Sequence, residues 1–195
     1  MTQMQSHEAP TTTTLTDLYR DRSAAIADLL ASTTAWDRPT PCEGWTVRDL
    51  VDHLITTQRD FLAERDLHVP SVSLQDPARA WTQHTGGVQD LLADPAIGAR
   101  EYDGHFGRTT VAATMATFYG WDLLVHRWDL ARALGANEEF TDQELDQIEV
   151  EVEGFGEALY SPGICAAPLA VSESEPRQVR VLARLGRDAR RTRTQ

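Results

Sequence analysis

The sequence predicts an all-α protein, a helical bundle closed by an additional short helix or an extended segment at the C-terminus. Two observations carry this. Apolar residues recur at three- and four-residue spacings through long stretches, as in Leu15, Leu18, Tyr19, Ile26, Leu29 and Leu30, or Val47, Leu50, Val51, Leu54, Phe61 and Leu62. Proline, glycine and capping residues fall between those stretches rather than inside them. The chain of 195 residues is 41% hydrophobic and 25% charged, which suits one globular domain with its own core. Residues 1–13 are polar, Thr-rich and contain Pro10, so a disordered tail is expected there. A single domain over 14–189 and a basic tail over 190–195 complete the expected organisation.

The first helix is expected from about Leu15 to Ala31, ended by the Pro39, Pro41 and Gly44 segment. Thr46, with Asp49 three residues on, starts a second helix that runs to about Glu64. Asp76 followed by Pro77 is a cap plus a first-turn proline, and a third helix should reach Leu92 with Gly86–Gly87 as a point of bending. Residues 94–109 read as a loop or a short hairpin. A fourth helix is expected without interruption from Thr110 to Leu134, stopped by Gly135. Thr141 and Glu144 form a capping box for a fifth, to about Tyr160. Extended stretches are expected over Ala166–Val171 and Val179–Leu185.

Composition excludes several functions. The formal net charge of -12 disfavours a nucleic-acid backbone as partner, and the arginines of the last residues (Arg177, Arg180, Arg184, Arg187, Arg190, Arg191, Arg193) are too few to reverse that, with Arg190, Arg191 and Arg193 read as a solvated end. No apolar run is long enough to span a membrane, and the first residues lack the pattern of a signal peptide, so a cytoplasmic location is expected. Cys42 and Cys165 alone cannot build a disulfide scaffold. There is no GxGxxG, P-loop, GxSxG or HExxH motif.

The chemistry-bearing residues concentrate on the fourth helix. Asp122 and His126 stand four apart and so share a face. On a continuous helical wheel Val111 and Met115 fall about 20° to either side of Asp122, and His126 about 40° away. A carboxylate and an imidazole would then occupy the most apolar line of the helix, where an unpaired carboxylate is costly. His53, at the edge of the second helix's stripe, is the third member. Two histidines and one carboxylate outline a catalytic zinc or iron site; the competing reading is a satisfied His–Asp hydrogen bond without metal. Asp129, three residues after His126, is placed to orient the imidazole from behind, or else to pair with Arg127 or Arg132. Trp45, Trp121 and Trp128 read as packing residues, Cys42 as a small packing group rather than a nucleophile, and Arg48 and Arg132 as surface ion pairs rather than anion contacts. His7, His68, His84 and His105 lie off the apolar stripes.

The segments TPCEGWTVRDLVDHL (40–54) and DLLVHRWDLARALG (122–135) resemble actinobacterial proteins related to mycothiol-dependent maleylpyruvate isomerase, within the DinB-like superfamily of YfiT-like metal proteins and thiol transferases. VRVLARLGRDA (179–189) is similar to the ending of a short metal-binding subgroup, whereas the characterised isomerase type carries a further C-terminal α/β domain with a functional arginine. The resemblance implies a DinB-like four-helix bundle with one divalent metal, zinc first and nickel or iron as alternatives, held by His53, Asp122 and His126. Asp122 stands where isomerase-like members usually have Glu, one methylene longer. The implied activity is mycothiol-dependent transfer or isomerisation of a small electrophile. A metal-dependent hydrolase without a thiol cofactor, and a non-catalytic protein that binds metal or a small ligand, are the alternatives. A homodimer is the default assembly.

Overall fold

A computed structural model describes residues 12–104, 107–161 and 163–190. The chain is predominantly helical, a multi-helix bundle with a short extra C-terminal helix. Its elements are α1 (Thr12–Leu30), α2 (Val47–Ala63), α3 (Pro77–Leu92), α4 (Pro95–Gly98), β1 (Glu101–Gly104), β2 (Gly107–Thr110), α5 (Val111–Ala116), α6 (Phe118–Leu134), α7 (Asp142–Phe155), a 3-10 turn (Gly156–Tyr160) and α8 (Arg177–Arg184). Among the described residues no helix is long and apolar enough to cross a membrane. Two compact units divide these elements. One holds the described residues up to Ser32 together with Val51–Leu123; the other holds Thr33–Leu50 and the described residues from Leu124 on.

The expected helix starts are present with their caps. Thr46 N–H donates to the Asp49 carboxylate at 2.8 Å, and Asp49 N–H returns to the Thr46 hydroxyl at 3.2 Å. Asp76 accepts from Arg79 N–H at 3.1 Å. Both halves of the Thr141–Glu144 capping box form. Each satisfies backbone donors that the first turn of a helix leaves without partners. The Gly86–Gly87 pair does not interrupt α3; a Cβ on Gly87 would lie 3.2 Å from the Pro70 ring, so its absence lets that loop approach. The 94–110 segment forms α4 and the antiparallel hairpin β1–β2.

In the first unit, α1 packs against α3 and α5 around Tyr19, Ile26, Leu30, Leu54, Leu62, Trp81, Val88 and Met115, all almost fully buried. A polar cluster lies inside this core. Tyr19 Oη donates to Gln58 Oε1 at 2.7 Å, and His84 Nε2 lies 3.0 Å from the same oxygen. His84 is therefore a core residue and not, as its sequence neighbours suggested, one off the apolar face. It stands three residues after Trp81 and four before Val88, on the buried stripe of α3.

The fourth predicted helix is two helices. The chain breaks at Thr117, between α5 and α6. The cause is Arg22 of α1, whose Nη1 donates to the Ala116 carbonyl at 2.7 Å. That carbonyl would otherwise accept from the Gly120 N–H one turn on, and a side chain inserted into the helical ladder bends it. Gly120 makes room: a Cβ there would collide with the Arg22 guanidinium.

In the second unit, the segment expected to be extended over Val179–Leu185 is instead helical in α8, followed by a tight turn. Its strand-like alternation is overridden: Val181, Leu182, Ala183 and Leu185 all bury, whereas a strand would turn Leu182 to the face opposite the other three. Side chains fasten it. Arg177 donates to Asp146 and Glu149 of α7, each at 2.5 Å, and Gln178 bonds the backbone of Phe140 and Glu138, each at 2.8 Å.

Two outcomes follow. Gly120→Ala, which on an unobstructed helix would stabilise, should lower stability by about 1–3 kcal/mol through overpacking; adding Arg22→Met should remove most of that penalty, as read from urea midpoints. Burial of His84, with the Arg59 charge adding to it, lowers its pKa from 6.5 to about 4. The unfolded chain then takes up the proton first, so the stability His84 contributes is complete above about pH 6.5 and is lost as pH falls to about 4. That window is worth about 3 kcal/mol, and His84→Gln should lose correspondingly less stability than the native chain across it.

Candidate metal centre

α6 carries three of the four residues singled out for chemistry, and its phase decides what each can do. Asp122 lies one turn before His126, and Asp129 nearly one turn after it. The buried acid of this helix is Asp129, with no exposed surface, while the Asp122 side chain keeps 20% of its surface exposed. The expectation of a buried Asp122 came from a wheel running unbroken through Val111 and Met115. Thr117 keeps right-handed helical angles and the i to i+4 bonds from Ala113 to Thr117 and from Thr117 to Trp121 persist, yet the Asp122 side chain stays partly exposed where Val111 and Met115 are fully buried.

In the first unit His53 comes from α2 and Asp122 from α6. His53 Nε2 lies 3.7 Å from Asp122 Oδ2, with the side chains 26% and 20% exposed. This is longer than a hydrogen bond. Two ligand atoms bound to one tetrahedral ion at about 2.0–2.1 Å each stand about 3.4 Å apart. The pair therefore has the spacing and donor chemistry of two metal ligands rather than of a closed His–Asp hydrogen bond. Asp122 and His126 follow at i and i+4 of one helix, the spacing that lets two side chains serve one ion. His53 and Asp122 in the first unit, and His126 in the second, each carry a donor atom that suits a metal.

In the second unit the His126 ring is held from its other nitrogen. His126 Nδ1 lies 2.9 Å from Asp129 Oδ2. Asp129 in turn accepts from the Arg187 fork: Nη2 to Oδ2 at 2.8 Å and Nε to Oδ1 at 3.1 Å. The Cys42 thiol donates to Asp129 Oδ2 at 3.3 Å. Burial by itself would raise the Asp129 pKa, but the Arg187 guanidinium and the His126 bond outweigh it and hold the carboxyl well below the usual range. Arg187 is correspondingly raised, the Asp129 charge and bonds overcoming its own burial. A carboxylate that is ionised and only accepts makes His126 Nδ1 the donor. The Trp45 ring stacks on His126 at a centroid distance of 6.2 Å.

Asp129 thus bonds His126 and Arg187. Neither Arg127 nor Arg132 is its partner: Arg127 pairs with Glu138 at 2.8 Å and Glu144 at 2.7 Å, and Arg132 lies over the Trp128 ring at 5.5 Å. Trp121 and Trp128 are buried, as packing residues should be. Arg48 lies 4.0 Å from Asp37, a surface pair. His68 is exposed, and His7 and His105 fall outside the described residues.

Cys42, His126 and Asp129 also form a donor set, with ligand atoms within 4.8 Å of one another. A cation is already there. Arg187 Nη2 lies 2.8 Å from Asp129 Oδ2 and 3.7 Å from Cys42 Sγ, and a divalent ion placed among these donors would face a buried guanidinium. Charge therefore favours the His53–Asp122 side. A cleft of about 460 Å³, lined among others by Pro39, Pro41, Trp128, Arg132, Leu169 and Arg187, opens in the same unit and is of a size that suits a small ligand.

Arg187 is the residue that sequence reasoning missed. It was one arginine among many near the C-terminus, and the sign of its burial was local: Gly186 adopts φ +75° after α8, and a Cβ there would lie 2.6 Å from that of Ala166. Only glycine tolerates both conditions. The turn returns Arg187 N–H to the Leu182 carbonyl at 2.9 Å and aims its side chain inward.

The model of the mycothiol maleylpyruvate isomerase N-terminal domain matches residues 18–134. The chain belongs to this family. The matched segment covers more than half of the sequence and includes Cys42, His53, Asp122, His126 and Asp129, whereas Arg187 lies beyond it. Family membership places the protein among the DinB-like metal-binding domains. No curated protein and no solved structure gives a significant match.

Removing Arg187 alone should be severe. Arg187→Met leaves a buried, uncompensated carboxylate and should cost about 3–5 kcal/mol, whereas Arg187→Met with Asp129→Leu should recover most of that loss; thermal denaturation of the two variants checks it.

Proposed function

We propose that this protein is a divalent-metal-dependent enzyme that uses a small thiol, mycothiol, to transfer to or isomerise a small electrophilic substrate. The observation that carries it is the 3.7 Å spacing of His53 Nε2 and Asp122 Oδ2, set one helical turn before His126, in a chain of the mycothiol maleylpyruvate isomerase N-terminal domain family. His53, Asp122 and His126 would hold the ion. Zinc is the first candidate, with nickel or iron as alternatives, because imidazole and carboxylate suit all three. When bound, the ion would act as a Lewis acid that lowers the pKa of a coordinated thiol or water.

The protein's own residues supply the rest of the setting. Three protein ligands leave positions open to exogenous groups, as catalytic sites require. One carboxylate and two neutral imidazoles leave a divalent site with a net positive charge, which favours a thiolate. Asp129 orients His126 through Nδ1. The partial exposure of His53 and Asp122 leaves that side open to a substrate, while Asp129 is shielded from water. The partner is a small molecule rather than nucleic acid or membrane, in keeping with the net charge of -12; the setting proposed is cytoplasmic, with a homodimer as the default assembly.

Elemental analysis of untagged protein never exposed to chelator is the test. About one equivalent of zinc, nickel or iron per chain is expected, falling at least tenfold in His53→Ala and His126→Ala with the helical circular dichroism unchanged. Turnover of monobromobimane should then require both metal and mycothiol above the spontaneous rate. Metal-dependent hydrolysis of activated esters with no thiol requirement would point to the hydrolase instead. Metal below a tenth of an equivalent, with no uptake of added divalent ions, would overturn the metal site.

A further inference from the structure

We infer that Arg187, supplied by the segment beyond the family match, is a positioning residue that acts through Asp129 to hold the His126 imidazole in one orientation and one tautomer, with Nδ1 protonated and the lone pair on Nε2. The inference deepens the proposed metal site and rests on it for its functional meaning.

The geometry forms one continuous chain. Arg187 donates from Nε and Nη2 to both oxygens of Asp129, at 3.1 and 2.8 Å. Its remaining terminal nitrogen, Nη1, donates to the Leu185 carbonyl at 2.8 Å. The guanidinium is thus tied to its own backbone turn on one side and to the carboxylate on the other, so its plane has little freedom. Asp129 Oδ2 then meets His126 Nδ1 at 2.9 Å. Asp129 has no exposed surface and Arg187 keeps only 10% of its side chain exposed, so solvent competes little for either bond. A carboxylate facing a guanidinium accepts and does not donate, which requires the proton on Nδ1.

Two further observations set this arrangement apart from a stability device alone. The fork is bidentate, and a planar bidentate contact fixes the angle of the carboxylate as well as its charge. The residue that aims it, Gly186 at φ +75° against Ala166, makes a turn that a side chain would strain, and the turn brings Arg187 inward. Lysine at 187 would keep the charge and lose the fork. The segment after residue 134 therefore helps to set the site and does more than cover the matched domain.

The test uses the full chain. In metal-free protein, long-range ¹⁵N–¹H spectra report the protonated nitrogen of each histidine, with His126→Gln identifying the resonance. The native chain should show His126 with Nδ1 protonated as the dominant form. Arg187→Lys should retain the fold, mix the two tautomers, and weaken zinc binding about tenfold in competition with a chromophoric chelator. Asp129→Asn with Arg187→Gln removes both buried charges, which keeps the variant folded if the lysine variant is not, and should mix the tautomers likewise, since an amide both donates and accepts. A native chain with Nε2 protonated, or folded variants with native tautomer and native zinc affinity, would overturn the inference. Failure of the native chain to bind zinc would instead count against the metal reading, and the spectra of the metal-free protein would still judge Arg187.

Discussion

The buried carboxylate of Asp129 is the constraint around which the second unit is organised. An ionised carboxylate without water is tolerable only with a cation and a full set of donors, and Arg187, His126 and Cys42 provide them. The cation comes from near the C-terminal end, so the short helix α8 and the Gly186 turn serve to deliver it. α8 is held for that purpose by polar ties to α7 and to the loop before it. A charge in the interior thus adds to the apolar burial of Val181, Leu182, Ala183 and Leu185 in ordering this segment.

A second buried arginine shapes α6. Arg22 takes the Ala116 carbonyl and occupies the space that Gly120 leaves open. Further along the same helix, two acids sit in different surroundings. Asp122 is left partly exposed beside His53. Asp129 is sealed between His126 and Arg187. The two carboxylates lie seven residues apart on one helix and are chemically alike; their environments make one a candidate ligand and the other a fixed acceptor.

Much of this was legible beforehand. The helix starts at Thr46, Asp76 and Thr141 could be read because a capping residue acts on backbone donors within three positions. The candidates His53, Asp122 and His126 could be singled out because i,i+4 spacing and residue chemistry are local, and the contact of Asp129 with His126 could be anticipated for the same reason. The break at Thr117, the burial of His84 and the helical form of α8 were not legible. Each is decided by residues far away in sequence: Arg22 lies 94 positions from Ala116, and His84 is bonded to Gln58, 26 positions away.

The sequence by itself determined the helical class, the family, the caps and the identity of the chemistry-bearing side chains, since these depend on composition, short-range periodicity and motif. The tertiary structure alone decided which carboxylate is buried, that Arg187 is its counter-ion, and where the long helix breaks. Those outcomes depend on which groups share a desolvated space, and removal from water makes a charge bind its partner or a carbonyl accept a guanidinium in place of its own helix.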